Sequence, residues 1–227
     1  AGTTTDPPSP LSAEDVKNYS DIYANIFIQK GPWNSETIWG IQYPLTSGNN
    51  WNPNIWYGPN GYHNWGNNDP TEPAVREFEM ADGTPFIWDK YTPGNQFLRT
   101  ATADELAADP NRSPYKGREP RFYACVLYHG APWQERPSDA AGFDPLNIVQ
   151  TGNFYKNDGT LRINGIDTRS GLIESWNGTK NGYYLKKFMD PGSVGQYFTN
   201  TNTWVEFRLA EVLLNYAEAC IELGGAD

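Results

Sequence analysis

The sequence predicts a loop-rich chain of short helices and strands that ends in a helix apolar on several sides. Three observations lead to this fold class. Apolar residues recur at helical spacing near both ends of the chain, short alternating runs lie between these ends, and one long stretch is rich in aromatic residues and asparagine. With 227 residues, the chain is long enough for one large domain or two small ones with a real core.

The first elements are predicted from local start and stop signals. Ser12 and Asp15 have the spacing of a capping box, and apolar residues then recur three and four positions apart until Gly31. The run SETIWGIQYP alternates like a short strand. Further along, Thr71 is placed to cap a short helix that carries a proline in its first turn.

Four more segments are predicted from their patterns as short strands or turns. The run TPFIWDKY is a possible strand, residues 122–128 are a predicted strand, and GYYLKKF is a third strand-like run. Residues 157–159, Asn-Asp-Gly, are predicted as a hairpin tip between NFYK and TLRI. The spacing of a calcium-binding loop is absent around this tip, so a plain turn is favoured.

The terminal helix, predicted over residues 208–223, carries one narrow polar stripe. The spacing of AEVLLNYAEACIELGGAD matches the first helix of a tetratricopeptide-type repeat, in which a second helix follows to complete a hairpin. We therefore expect residues 201–227 to be the first half of a hairpin that continues outside this sequence. The alternative is an ordinary core helix that packs on the rest of this chain.

Composition excludes several functional classes. The chain holds 27 acidic and 17 basic residues, a formal charge of −10, so nucleic acid is not an expected partner. No apolar run approaches the roughly 20 residues that span a bilayer, and the start AGTTTDPPSP is no signal peptide, so we expect a mature or trimmed piece of a longer protein. His63 and His129 are too few and too far apart to indicate a zinc site, and Cys125 and Cys220 are expected to be small buried hydrophobes.

Residues 47–70, SGNNWNPNIWYGPNGYHNWGNNDP, form what we call the aromatic segment. It contains eight asparagines and four glycines, no lysine or arginine, and Asp69 as its only acid. An irregular stretch of roughly 20 residues in a compact domain is more often functional than connective. We expect the segment to carry a binding site.

The side-chain chemistry of the aromatic segment suits a neutral, hydroxyl-rich ligand. Sugar rings lie flat on Trp and Tyr, and asparagine amides both donate to and accept from hydroxyls. Rigid aromatic side chains also lose little rotamer entropy on binding. The alternative is that the rings pin the segment to the body. The predicted ligand-binding residues are Trp51, Asn54, Trp56, Tyr57, Tyr62, Asn64 and Trp65.

Several stretches resemble the SusD/RagB family, nutrient-binding surface lipoproteins of Bacteroidetes-type bacteria. WVEFRLAEVLLNYAEAC resembles the repeat helix of that family, and PYKGREPRFYACVLYHG resembles a family segment in which Asp usually stands at the position of Glu119. PTEPAVREFEMADGTPF, NGYYLKKFMDP and SETIWGIQYP are similar to further segments. The likeness extends from about residue 16 to residue 227.

The resemblance implies a mainly α-helical protein, in which a tetratricopeptide-like scaffold supports a loop-rich ligand-binding region, here residues 1–200. It implies a non-catalytic protein that captures oligosaccharides, is anchored in the outer membrane by a lipid on a cysteine outside this segment, and docks on a SusC-like TonB-dependent transporter. No cofactor is implied, and a structural calcium ion is left open. Arg118, Glu119 and Arg121 are expected to form a structural ion-pair cluster.

Two other functional classes fit some of the same features. A glycoside hydrolase would also use exposed aromatic rings, but its chemistry needs two carboxylates at a fixed separation, and only Asp69 belongs to the aromatic segment. A helical-repeat scaffold that binds protein would need no small ligand at all.

Overall fold

In the computed structural model, the described part of the chain comprises residues 10–31, 34–43, 51–88, 113–155, 160–193 and 200–224. Within these ranges, α-helices account for most of the regular structure and the strands are short. The α-helices are α1 (Ala13–Ile28), α2 (Pro53–Tyr57), α3 (Glu72–Arg76), α4 (Pro120–Cys125) and α5 (Leu209–Glu222), with 3-10 turns at Asn60–Tyr62 and Ser175–Asn177.

The strands form antiparallel pairs rather than one extended sheet. They are β1 (Thr37–Ile41), β2 (Val126–Leu127), β3 (Phe154–Tyr155), β4 (Leu161–Ile163), β5 (Tyr184–Leu185) and β6 (Trp204–Arg208), and they pair as β1–β6, β2–β5 and β3–β4. The expectation of a mainly helical chain with short strands is confirmed. The tetratricopeptide-like arrangement and the division at residue 200 stay predictions.

Helix α1 begins as its capping box predicts. The Ser12 hydroxyl accepts a hydrogen bond from the Asp15 amide at 3.1 Å, and the Asp15 carboxylate accepts one from the Ser12 amide at 3.1 Å. The helix packs along α4 and inserts Phe27 into the core, where its ring meets Phe188 edge-on at 5.1 Å. Thr71 likewise caps α3, which confirms the second helix start.

Two apolar clusters share strand β2. The first is built around Phe27, Leu127, Val149, Tyr184 and Phe188, and the second around Val75, Tyr115, Phe122, Val126 and Tyr183. Consecutive strand residues point to opposite faces, so Val126 and Leu127 enter different clusters. This two-residue strand therefore joins the two halves of the core.

Two strand predictions are wrong. Residues 120–125 of the segment around 122–128 form helix α4, and only Val126 and Leu127 are extended. A short, continuously apolar run fits a buried helix as well as a strand, and Pro120 in the first turn favours the helix. Residues 84–88 of TPFIWDKY form no strand, and Phe86 in this run packs on the Arg118 guanidinium at 3.8 Å.

The other three strand predictions are confirmed where they can be compared. Residues 37–41 of SETIWGIQYP form β1. Residues 154–155 and 161–163 pair antiparallel as a hairpin, although its tip, residues 156–159, lies outside the described residues. Tyr184 and Leu185 of the GYYLKKF run form β5, which pairs with β2.

Arg118 does not join the expected ion-pair cluster. Glu119 and Arg121 do pair, at 2.6 Å. Arg118 is fully buried and donates to the carbonyl oxygens of Val75 at 2.7 Å and Phe78 at 2.6 Å. It thus ties α3 to the start of α4 through backbone acceptors, a role that residue types alone do not indicate.

Helix α5 exposes the apolar residues that the sequence analysis placed on packing faces. None of its 14 residues is buried, and Leu213, Leu214, Tyr216 and Ile221 are 58–70% exposed. The alternative of a core helix covered by this chain is therefore not what the described residues show. In the same residues, no helix combines the length and apolar character needed to cross a membrane. Cys125 and Cys220 are half-buried free thiols.

Candidate functional site

The aromatic segment is more ordered than its composition predicts. Helix α2 and the following 3-10 turn make the chain fold back, so that the Trp65 amide donates to the Ile55 carbonyl at 2.7 Å and the Asn67 amide donates to the Trp56 carbonyl at 2.8 Å. The expectation of a stretch without regular structure is therefore wrong over residues 51–70. The segment is a rigid platform, the kind of support that a binding site needs.

The fold-back brings Trp56 and Trp65 together at the surface. Their ring centroids lie 4.8 Å apart at an interplanar angle of 87°, an edge-to-face contact. Trp56 is 43% exposed and Trp65 is half-buried. The two indoles therefore lie against each other at the surface, and Trp56 is the more exposed of the two.

Trp51 belongs to the body of the protein. Its ring packs edge-on against Trp204 at 5.0 Å, Phe188 at 5.6 Å and Tyr57 at 5.8 Å. It is half-buried against the first apolar cluster. Trp51 therefore fits the alternative given in the sequence analysis, in which aromatic rings hold the segment against the body of the protein.

Four other predicted site residues are buried: Asn54, Tyr57, Tyr62 and Asn64 are 3–8% exposed. The Asn54 amide shows why, because it donates to the Asp190 carbonyl at 2.8 Å and accepts from the Asp190 amide at 2.9 Å. Such a satisfied buried amide fixes the backbone rather than facing solvent. The functional proposal therefore uses only Trp56 and Trp65.

A buried ion network supports the aromatic segment on its protein side. Arg136 bonds to Asp144 at 2.7 Å and to Asp167 at 2.7 Å, and these three side chains are 0–1% exposed. The guanidinium also lies 4.0 Å from the centre of the Tyr62 ring. Burial lowers the pKa of Arg136, but the charge and hydrogen bonds of Asp167 outweigh it and raise the pKa, so the guanidinium stays charged.

His63 joins the segment to two other loops. Its Nδ1 lies 2.9 Å from Glu174 Oε1, and its Nε2 lies 3.1 Å from Asp139 Oδ2. Burial lowers the pKa of His63, but hydrogen bonds to Glu174 and Asp139 outweigh it and raise the pKa. The imidazole therefore acts as a cross-link that is stronger when protonated. Its φ of 59° places it in the left-handed region, where the chain turns toward Trp65.

Trp176 is a further exposed ring that lies outside the aromatic segment. It is 71% exposed in the 3-10 turn Ser175–Asn177. That turn lies against the aromatic segment, because a Cβ added at Gly66 would be 2.5 Å from the Asn177 carbonyl oxygen. No pattern in the sequence signals this contact, since the two residues are far apart in the chain.

Charged groups are sparse on the platform itself. Asp69 is its only acid, and burial raises the pKa of that carboxyl, partly opposed by hydrogen bonds from Thr179 and Lys180. Nowhere in the described residues do three His, Cys, Asp or Glu side chains come together as a metal site would require. The arrangement of uncharged rings and amides is suited to stacking and hydrogen bonding with a neutral ligand.

Comparison with known proteins gives a consistent family relation. Residues 25–227 match the model of the SusD family, so the match covers most of the chain. A SusD-like protein from Bacteroides fragilis has a similar structure, with 26% sequence identity, a TM-score of 0.57, and coverage of 91% of this chain and 36% of its own.

A second solved structure shows the same fold. It is described as a SusD-like carbohydrate binding protein from Bacteroides fragilis, with 20% identity, a TM-score of 0.59, and coverage of 92% of this chain and 36% of its own. The chain thus spans about a third of the length of these relatives. A search of curated protein sequences found no match.

Proposed function

Since the chain belongs to the SusD family, we propose that it is part of a non-catalytic surface protein that binds a neutral oligosaccharide on Trp56 and Trp65. One solved relative of the same fold is described as carbohydrate binding, which supports this choice of ligand. The whole protein, of which this chain is about a third by comparison with its relatives, then delivers the ligand to a SusC-like TonB-dependent transporter.

The single observation that carries the proposal is the exposed indole pair on a rigid support. The two rings lie 4.8 Å apart and Trp56 is 43% exposed, so the part of their surface that remains open is buried only when a ligand covers it. A sugar has both the flat C–H face that an indole accepts and the hydroxyls that neighbouring amides bind. Asn67 and Asn68 lie two and three positions after Trp65 and are exposed, so we assign them to those hydroxyls.

Trp56→Ala and Trp65→Ala test this assignment. Each substitution should weaken binding to a glycan, found first by array screening, by at least about tenfold, which corresponds to about 1.4 kcal/mol. Trp39→Ala is the matched control, because Trp39 is 60% exposed on β1, outside the platform. Calorimetry measures the affinities. Equal affinity in the Trp56 and Trp65 variants and the control would contradict the proposed site.

Delivery to a transporter and anchoring in the outer membrane follow from the family relation as proposals about the whole protein. Affinity purification of the full-length lipoprotein from its native membrane should recover a TonB-dependent barrel. Recovery of the protein without a barrel, under conditions in which a related pair stays together, would contradict the partnership.

The hydrolase alternative depends on Asp69, the only acid of the aromatic segment. Burial raises the pKa of this carboxyl, which is the direction that a general acid requires. A glycosidase needs a second carboxylate across the ligand, whereas Asp139 and Glu174 are both bonded to His63. Incubation with the bound glycan should therefore release no product. Product release that Asp69→Asn abolishes would establish the enzyme instead.

A further inference from the structure

A cavity of about 250 Å³ lies beyond the end of the aromatic segment. Its walls come from the first turn of α3, the residues before β5 and the loops around residues 129 and 151. Asn181, one of its lining residues, donates to the Pro70 carbonyl at 2.7 Å, so the cavity adjoins the segment's last residue. The residues that matter here are Glu72, Arg76, Trp88, His129, Thr151 and Tyr183.

His129 presents an unused hydrogen-bond donor at this cavity. The side chain is only 5% exposed, and its Nδ1 accepts the Gly152 amide hydrogen at 3.1 Å. Burial lowers the pKa of His129 to about 4, so the ring is neutral at pH 7 and the proton resides on Nε2. No protein acceptor for this Nε2–H exists among the described residues. Because His129 lines an open cavity, a donor without a protein partner there is available to water or to a ligand.

The charges of the described residues that line the cavity cancel. Glu72 accepts a hydrogen bond from Arg76 at 2.8 Å, and this ion pair is the charged group of the lining. Burial raises the pKa of Tyr115 to about 12 and also raises that of Tyr183, so both phenols stay protonated at neutral pH. A lining with no net charge gives no preference for a phosphate, a sulfate or an ammonium group.

Polar and aromatic groups line the same space. The Thr151 hydroxyl has no hydrogen-bond partner within the described part of the chain, and Trp88 contributes a half-buried indole. The cavity volume is below the roughly 300–1,000 Å³ of sites that hold drug-sized ligands. Unused donors beside an aromatic wall, in a space of this size, suit one small ring that carries several hydroxyls.

We propose that this cavity is a second subsite, which binds one neutral, pyranose-sized sugar unit. His129 Nε2–H and the Thr151 hydroxyl bond to the sugar hydroxyls, and Trp88 lies beside the ring. The inference rests on the proposed function, because it takes the ligand to be a glycan. It adds that recognition extends past Trp56 and Trp65 to a single unit held in this cavity.

The two histidines of the chain separate the two sites in one experiment. His63 directly precedes the Asn64–Trp65 pair of the platform, whereas His129 lines the cavity, and the sequence contains no other histidine. Long-range ¹⁵N–¹H spectra of the imidazoles are recorded while methyl glycosides of glucose, galactose, mannose and xylose are added. At least one glycoside should shift the His129 ring signals in a saturable way.

Two variants at Thr151 make the result specific. Thr151→Val removes the hydroxyl at nearly constant shape and should weaken that glycoside roughly fivefold, the effect of one hydrogen bond. Thr151→Ser keeps the hydroxyl and should retain most of the affinity. Thr201→Val, at another half-buried threonine that does not line the cavity, should change nothing.

The possible failures are distinguishable. If the array-selected glycan shifts His63 signals while no methyl glycoside shifts those of His129, the second subsite is wrong and the proposed function stands. If neither histidine responds to any glycan, both proposals fail. Equal affinities of the Thr151→Val and Thr151→Ser variants would also overturn the assignment of Thr151 and His129 to the subsite.

Discussion

Arg136 is a buried side chain that supports the aromatic segment through the ring of Tyr62. Replacing it leaves Asp144 and Asp167 buried without their shared cation, and such a broken buried ion pair typically costs about 3–5 kcal/mol. We expect Arg136→Met to lower the free energy of unfolding by that amount in urea denaturation. Arg121→Met is the control, since its side chain is 58% exposed and a surface ion pair is worth about 1 kcal/mol or less. Equal losses of unfolding free energy in the two variants would contradict the stabilising role of the buried ion network around Arg136.

His63 makes the stability of the platform depend on pH. Its folded-state pKa is raised above the unfolded value of about 6.5. The stabilisation by protonated His63 is therefore complete below that value and disappears as the pH rises through the folded-state pKa. His63→Asn suits the comparison, because asparagine tolerates the positive φ of this position.

Unfolding free energies of the wild type and of His63→Asn, measured from pH 5 to pH 9, provide the test. The advantage of the wild type should be largest at the acidic end and shrink above the folded-state pKa. An advantage that grows with pH would show that the neutral imidazole, rather than the imidazolium, bonds to Glu174 and Asp139.

The predicted site residues differ in burial, which is a tertiary property that the segment alone does not determine. Asn54 and Asn67 have the same side chain in the same segment, yet Asn54 is buried and Asn67 is exposed. The difference comes from Asp190, whose backbone bonds to Asn54 from 136 positions away. A pattern within the segment cannot contain that partner.

At the scale of elements, the segment and the Ser175–Asn177 turn meet at Gly66. Its φ of +49° is unfavourable for other residues, and an added Cβ would be 2.5 Å from the Asn177 carbonyl oxygen and 2.8 Å from the Tyr184 ring. Gly66→Ala should destabilise the protein by about 2–4 kcal/mol, from backbone strain of about 1–2 kcal/mol plus the clash.

Gly83→Ala is the matched control for that variant. Gly83 has a φ of +79°, but an added Cβ would meet nothing within 4 Å. It should therefore cost only the backbone strain, about 1–2 kcal/mol. Thermal unfolding of both variants measures the difference. A Gly66 variant no less stable than the Gly83 variant would mean that the segment and the turn are not in contact.

The helix starts at Ser12 and Thr71 could be predicted from the sequence, whereas those of α2 and α4 and the conformation of short apolar runs could not. The caps at Ser12 and Thr71 are local, since each side chain bonds to an amide three residues on. The run around Phe122 is apolar at every position and has no period that separates helix from strand. Its conformation is decided by packing on α1 and on the second apolar cluster, which the run itself does not encode.

At the scale of the whole molecule, the segment joins parts that are distant in the chain. Asn54 binds the loop after β5, Tyr62 donates to the Gln134 carbonyl at 3.0 Å, and His63 reaches Glu174. The rigid platform is therefore a product of the entire fold. Helix α5 stands apart from it with exposed leucines, and the chain spans about a third of the length of its solved relatives.

The most direct measurement of the central claim uses ¹⁹F NMR of the protein labelled with 5-fluorotryptophan. The chain has nine tryptophans, and single Trp→Phe variants assign their signals. The account predicts that the array-selected glycan shifts the signals of Trp56 and Trp65, while that of Trp51, packed on Trp204 and Phe188, stays in place. Saturable shifts confined to other tryptophans, with those of Trp56 and Trp65 unchanged, would contradict it.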